Sequence, residues 1–186
     1  FSPGHPLGTD DLGRDTLSRV VWGAQTSLLI AVLSIGFGTL IGGGVGLIAG
    51  YVRGKVGTVL SAIFDILLAF PPLLLALALV SVLTPIPLPD EPALTRWDRM
   101  WVVALAVGLV SIPILARITR ANTLAWSQRE FVLAARAQGA KSTRVMIREV
   151  LPNVVPAMLS ISLLGVATVI VIEGGLALFG LSINPP

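Results

Sequence analysis

The 186-residue sequence contains no cysteine and a single histidine, His5. Disulfide frameworks, thiolate nucleophiles and Cys/His metal sites are therefore excluded within these residues. Charge is scarce as well, at 12% Asp, Glu, Lys and Arg against 54% hydrophobic residues, with a mean hydropathy of +0.89. That balance is far from an average soluble domain and places the chain in a membrane. The basic pI of about 10.2 raises the possibility of nucleic acid, but the cations flank apolar runs and form no exposed stripe. Nucleic acid is not an expected partner. The opening residues, FSPGHPLGTDDLGRD, lack a basic segment followed by an apolar one, so no signal peptide is read there.

Crossing a bilayer takes about 20 mostly apolar residues, and four runs meet or approach that length. The expected spans cover about 26–50, 57–83, 101–118 and 154–173. The first lies in a window without charge between Arg19 and Arg53, and the second holds one charge, Asp65. Trp101 opens the third at a position suited to the interface, and Arg117 can snorkel from its far end. Four spans put both ends of the chain on one side. If the segments 51–56 and 117–152 are cytoplasmic, they hold nine Lys and Arg residues: Arg53, Lys55, Arg117, Arg120, Arg129, Arg136, Lys141, Arg144 and Arg148. The other side then holds Arg14, Arg19, Arg96 and Arg99. The positive-inside rule predicts that both ends face outward. The Pro-rich stretch Thr84 to Pro92 is likewise expected outside, where irregular backbone is solvated.

Gly38, Gly42, Gly46 and Gly50 recur every four residues and line one helix face, the pattern of close helix packing, with a pore-lining face as the alternative. GYVRGKV at 50–56 is not a phosphate-binding loop, because Ala49 stands at the first glycine position and Val56 at the Ser/Thr position. Asp65 needs a partner or a pathway at its depth, either Arg117 or a role in translocation or gating. Pro71 and Pro72 remove two backbone donors and predict a kink. Glu173 closes the fourth span as a boundary residue or a gate. A rival reading makes Asp65 and Glu173 relay carboxylates of an ion-driven carrier or channel.

The segment FVLAARAQGAKSTRVMIREVLPN at 131–153 is basic and soluble-looking between two apolar runs. Its Ala134, Ala135, Gly139, Leu151 and Pro152 match the spacing of the coupling loop of ABC-importer permeases. HPLGTDDLGRDTLSRVVWGAQTSL at 5–28, FDILLAFPPLLLALALV at 64–80, PNVVPAM at 152–158 and GGLALFGLSINPP at 174–186 resemble further segments of the dipeptide and oligopeptide members. The resemblance covers nearly the whole chain. It implies an all-α membrane protein, a type I importer permease bundle forming a single domain over 1–186 with a cytoplasmic coupling loop over 117–152. It also implies that the first and last helices of a six-helix bundle lie before Phe1 and after Pro186.

The implied partners are a second, homologous permease subunit, two cytoplasmic ABC ATPases, an external substrate-binding protein and a peptide, with membrane lipid around the bundle in a bacterial inner membrane. The chain itself is implied to be no enzyme and to bind no cofactor, ATP and magnesium belonging to the ATPases. Related permeases carry nickel chelates or glutathione, which stay open as substrates. In this reading a helix around Leu133 to Val145, with Arg136 on it, moves with the ATPase groove. The sequence departs from the family at Leu133, where a glutamate often precedes the paired alanines, and at Gln25, where arginine is common. Glu130, one turn before Leu133 and on nearly the same face, is the candidate to supply the missing charge.

Overall fold

The computed structural model describes residues 5–52, 54–84 and 94–181. Arg53, most of the Pro-rich stretch and the segment after Leu181 lie outside the described residues. Within them the chain is helical, with no strand. The helices are α1 (Thr16–Tyr51), α2 (Lys55–Leu68), α3 (Pro72–Leu83), α4 (Arg96–Trp126), α5 (Glu130–Ala137), α6 (Ser142–Val145) and α7 (Leu151–Leu178), with a π turn, Met146–Val150, between α6 and α7.

A polar knot precedes α1. Asp10 accepts the backbone N–H groups of Leu12 and Arg14 and pairs with Arg19. The bond from Arg14, largest of these effects, holds its carboxyl below the usual range. Asp15 then caps α1 by accepting from the Ser18 N–H, satisfying one of the donors a helix start leaves free. At 36 residues, α1 is about 54 Å long, well beyond the ~30 Å of a hydrocarbon core. The helix therefore projects past its apolar core of 26–50.

Helices α1 and α4 run parallel, and their seam is made of glycine. A methyl group added at Gly42 would meet the Ile112 carbonyl oxygen at 2.6 Å, and one at Gly50 the Arg120 carbonyl oxygen at 2.8 Å. Gly38 faces Ser111 and Leu115, and Gly46 faces the Ala116 carbonyl. Backbone touches backbone along three turns, which only residues without a side chain permit. Ser34 closes the seam by donating to the Ala104 carbonyl at 3.0 Å. Helix α7 runs antiparallel to α1: Ser27 donates to Glu173 at 2.8 Å, Gly165 rests on Ile35, the Thr39 and Ser162 hydroxyls are 2.7 Å apart, and Gly43 faces Met158. Ile30, Ile35, Val103, Val107, Val169 and Leu176 form the common core with Ala76 and Val80 of α3.

The four expected spans are found with changed bounds, the first running over Thr16–Tyr51 around its expected 26–50. The third begins at Arg96, not at 101, and continues to Trp126. Thr95 and Asp98 form a capping box that starts it, and Arg117 and Arg120 are carried inside the helix without ending it. The second is a bent pair, two helices turned by 90° where the prolines predict a kink. Pro71 is the N-cap of α3 and Pro72 its first residue, where a missing N–H leaves no bond unmade. At 14 and 12 residues, α2 and α3 reach about 21 and 18 Å, so neither crosses ~30 Å alone. The fourth span extends from 154–173 to Leu151–Leu178 and is continuous through the π turn with α6. It ends on Gly180 (φ +73°), where the Leu181 N–H bonds the Leu176 carbonyl and the Gly180 N–H that of Ala177, the double bond of a Schellman motif.

Candidate functional site

The segment after α4 folds back as a small module. Ser127 stops α4, and α5 begins at Glu130, whose carboxylate lies exposed in the first turn. Helix α5 has two faces. Val132 is fully buried and Ala135 packs beside it, while Glu130, Leu133, Ala134 and Ala137 lie exposed on the other face. The paired alanines thus divide, Ala135 toward the protein and Ala134 away from it. Leu133 is 56% exposed, three residues after Glu130, so an apolar knob and a carboxylate share one outward ridge.

Gly139 sits at φ +81°. The Ala140 N–H bonds the Ala135 carbonyl at 3.1 Å and the Gly139 N–H that of Arg136 at 2.9 Å, a Schellman close of α5. The single helix expected around Leu133 to Val145 is therefore two helices with a left-handed turn between them. A methyl group added at Gly139 would meet nothing within 4 Å, so the need for glycine within this chain is conformational.

After α6 the π turn leads to Leu151 and Pro152. Proline lacks the N–H that an α-helix would offer to the Arg148 carbonyl and crowds it, and widening that turn by one residue relieves the crowding. The Asn153 side-chain amide donates to the Glu149 carbonyl at 2.7 Å, covering a second acceptor of the turn. Leu151 joins the module's apolar cluster and Pro152 is exposed.

That cluster seats the module on the bundle. Val132, Val145, Val150 and Val154 are fully buried together with Leu47 of α1, and Trp126, Tyr51 and Met158 pack around them. Two arginines reinforce the seat: Arg136 lies 5.2 Å from the Tyr51 ring centroid and Arg129 lies 5.4 Å from that of Trp126. Such cation–π contacts contribute about 0.5–1 kcal/mol each at exposed sites. Beneath them, the Tyr51 hydroxyl and Arg120 Nε are buried without a hydrogen-bond partner among the described residues. Sequence reading passed over Tyr51, Trp126 and the four valines. Their signal was apolar residues at 145, 150 and 154 within a basic run, a spacing lengthened by the π turn. From 129 to 150 the module holds five basic residues, Arg129, Arg136, Lys141, Arg144 and Arg148, against Glu130 and Glu149.

The span residues divide between two levels. Asp65 of α2 and Arg117 of α4 pair at 3.6 Å, with side chains 61% and 67% exposed. The pair lies on an open face, near the end of the bundle that carries α5 and α6. Glu173 is at the opposite level, against Ser27. The two carboxylates are thus not brought together, and a direct relay between them has no geometric basis. Pro71 and Pro72 are exposed at the α2–α3 bend. No group of three or more His, Asp or Glu residues able to hold a metal is found among the described residues.

Comparison with known proteins agrees with the helical architecture. Residues 42–182 match the family described as the binding-protein-dependent transport system inner membrane component. The dipeptide transport system permease protein DppC of Alkalihalophilus pseudofirmus is 35% identical over 182 residues, covering 98% of this chain and 56% of the relative. The glutathione transport system permease protein GsiD of Pectobacterium atrosepticum is 34% identical over 185 residues, covering all of this chain and 57% of the relative. The di/tripeptide transport system permease protein DppC of Pseudomonas aeruginosa is 36% identical over 180 residues, covering 97% and 55%. The chain spans a little over half the length of these relatives. With the match running through the glycine seam, the broken span and the module, the chain belongs to the binding-protein-dependent transport system inner membrane component family.

Proposed function

We propose that the chain is part of the permease of an ATP-driven importer of short peptides, working with a second permease subunit, two cytoplasmic ATPases and an external binding protein. The observation that carries the coupling role is the module of α5 and α6. Its α5 lies outside the apolar spans and presents Glu130, Leu133 and Ala134 outward, and the module is seated on the ends of α1, α4 and α7 by a separate apolar cluster. ATP and magnesium act on the ATPases, and this chain performs no bond chemistry. Closing of the ATPases would carry α5 with them. The seat at Tyr51, Trp126 and Val154 would pass that movement to three spans, biasing a bundle with two stable arrangements. In this reading the Asp65–Arg117 pair holds α2 to α4 at the cytoplasmic level in one of those arrangements.

The module faces the cytoplasm in this proposal, with Thr9 outside, following the Lys/Arg asymmetry. The absence of cysteine makes this testable in the assembled transporter. Single cysteines at Thr9 should react with an impermeant maleimide from outside, and those at Lys55 and Ser142 only from inside. Labelling of Ser142 from outside would end the coupling assignment. Substrate class is tested by reconstituting the transporter with its binding protein. Uptake of a labelled dipeptide that requires ATP supports the proposal, while uptake of glutathione alone, or uptake driven by an ion gradient without ATP, contradicts it.

A further inference from the structure

Gly36 differs from the glycines of the seam. A methyl group there would meet nothing within 4 Å, so packing within the chain does not call for glycine. It lines a slot of about 320 Å³ between α1 and α4, walled by Leu33, Phe37, Leu40, Trp101 and Leu105. The slot is wholly apolar.

Two to three turns toward the start of α1 and one to two toward the start of α4, on the same side of α1, lies a second cavity of about 170 Å³ with a different lining: Trp22, Gln25, Thr26, Arg96 and Trp97. Residues 22, 25, 26, 29, 33, 36 and 40 follow one another at helical spacing, so the two cavities form one groove along α1. Arg96 Nη2 donates to the Thr26 hydroxyl at 2.6 Å, and that hydroxyl donates on to the Trp22 carbonyl at 3.3 Å. The guanidinium is thereby held at the head of the groove, and it has no carboxylate partner among the described residues. From Leu29 to Leu40 the groove runs about 16 Å at 1.5 Å per residue, matching the ~15 Å depth of one leaflet, half of the hydrocarbon core. Tryptophans at 22 and 97 flank the charged end, the level where indoles favour the interface.

We propose that this groove binds one anionic glycerophospholipid, its phosphate against Arg96 and Gln25 and one acyl chain in the slot over Gly36. Charge complementarity sets the headgroup: a guanidinium held by Thr26, with no carboxylate partner among the described residues, favours an anion and offers forked donors to phosphate oxygens. The apolar slot and the leaflet-length match set the tail, so free phosphate would fill only half of the site. This assignment is independent of the substrate and of the ATPase.

Native mass spectrometry of the assembled transporter tests it, after reconstitution in equal phosphatidylglycerol and phosphatidylcholine. One phosphatidylglycerol per copy of this chain should survive mild delipidation. Arg96→Gln should reduce its retention at least tenfold and Arg96→Lys should keep most of it. Gly36→Leu should displace the lipid while the complex keeps its melting temperature. Equal retention of both lipids, or retention unchanged in Arg96→Gln and Gly36→Leu, overturns the proposal. Should Gly36→Leu fail to assemble, a cysteine at Gly36 serves instead. Protection from a lipid-soluble maleimide that ends on delipidation supports the lipid, and a cross-link from that cysteine to another polypeptide overturns it.

Discussion

Helix α4 meets α1 and the module of α5 and α6 in opposite ways. Along the α1 seam there are hardly any side chains: Gly38, Gly42, Gly46 and Gly50 let backbone lie on backbone. At the module the contact consists of side chains, four valines and two arginine–ring contacts bridging to α1, α4 and α7. The seam has one close-packed arrangement and little room for another. The module's seat is small and apolar, reached through the Gly139 turn on one side and a π turn on the other. On the proposed function, bodies that move stiffly against one another need both a rigid seam and a side-chain seat that can shift.

The largest effect should come from filling the seam. Gly42→Leu or Gly46→Leu drives a side chain into the Ile112 or Ala116 carbonyl region, at or above the upper end of the ~1–3 kcal/mol usual for overpacking. Membrane levels of the assembled transporter, read by immunoblot, should collapse. Gly44→Ala, at an open position, should leave them unchanged. Equal levels for the three would mean that the seam is not close-packed in the membrane.

Next comes the turn of the module. Gly139→Val imposes a left-handed conformation on a branched residue at more than the ~1–2 kcal/mol of an ordinary side chain. It should uncouple peptide-stimulated ATP hydrolysis while membrane levels hold. Gly139→Asn should retain clearly more coupling, because asparagine tolerates positive φ. If asparagine and valine are equally damaging, a steric contact with the partner, and not backbone conformation, governs the position.

The seat contributes less. Tyr51→Leu removes the ring under Arg136 and should weaken association with the ATPases several-fold, whereas Tyr51→Phe keeps the ring and drops a hydroxyl that has no partner among the described residues. Phenylalanine should match the wild type or exceed it. A deficit in both would point to a hydrogen bond made by that hydroxyl in the assembled complex.

The smallest effect lies on the ridge. Glu130→Gln should lower stimulated ATPase activity a few-fold, and adding Leu133→Glu, which restores an acidic group one turn on, should recover part of it. No recovery beyond Glu130→Gln alone would leave Glu130 as a first-turn carboxylate that favours the helix dipole by about 0.3–1 kcal/mol.

What was legible in the sequence follows the same division. The four-residue glycine period announced the seam because helix packing depends on local spacing alone. The paired prolines announced a kink; its opening to a 90° break depends on how α3 rests on α4 and α7, which no local pattern encodes. The length of α4 was hidden because Arg117 and Arg120 end an apolar run without ending a helix. Gly139 stood out as a small residue, yet its visible role is a left-handed turn, and the π turn at Leu151–Pro152 shifted the valine spacing that would have revealed the seat. For Asp65 the sequence leaves two readings open, a partner such as Arg117 or a place in a pathway, and the two side chains lie 3.6 Å apart.

The outward face of α5 carries the central claim, and single cysteines at Ala134 and Ala135 test it most directly. In membranes opened to expose the cytoplasmic side, with the ATPases stripped away, Ala134→Cys should react readily with an impermeant maleimide and Ala135→Cys slowly. Restoring the ATPases should protect Ala134→Cys and leave Ala135→Cys as it was. Reaction of Ala134→Cys at the same rate with and without the ATPases would contradict docking through this face.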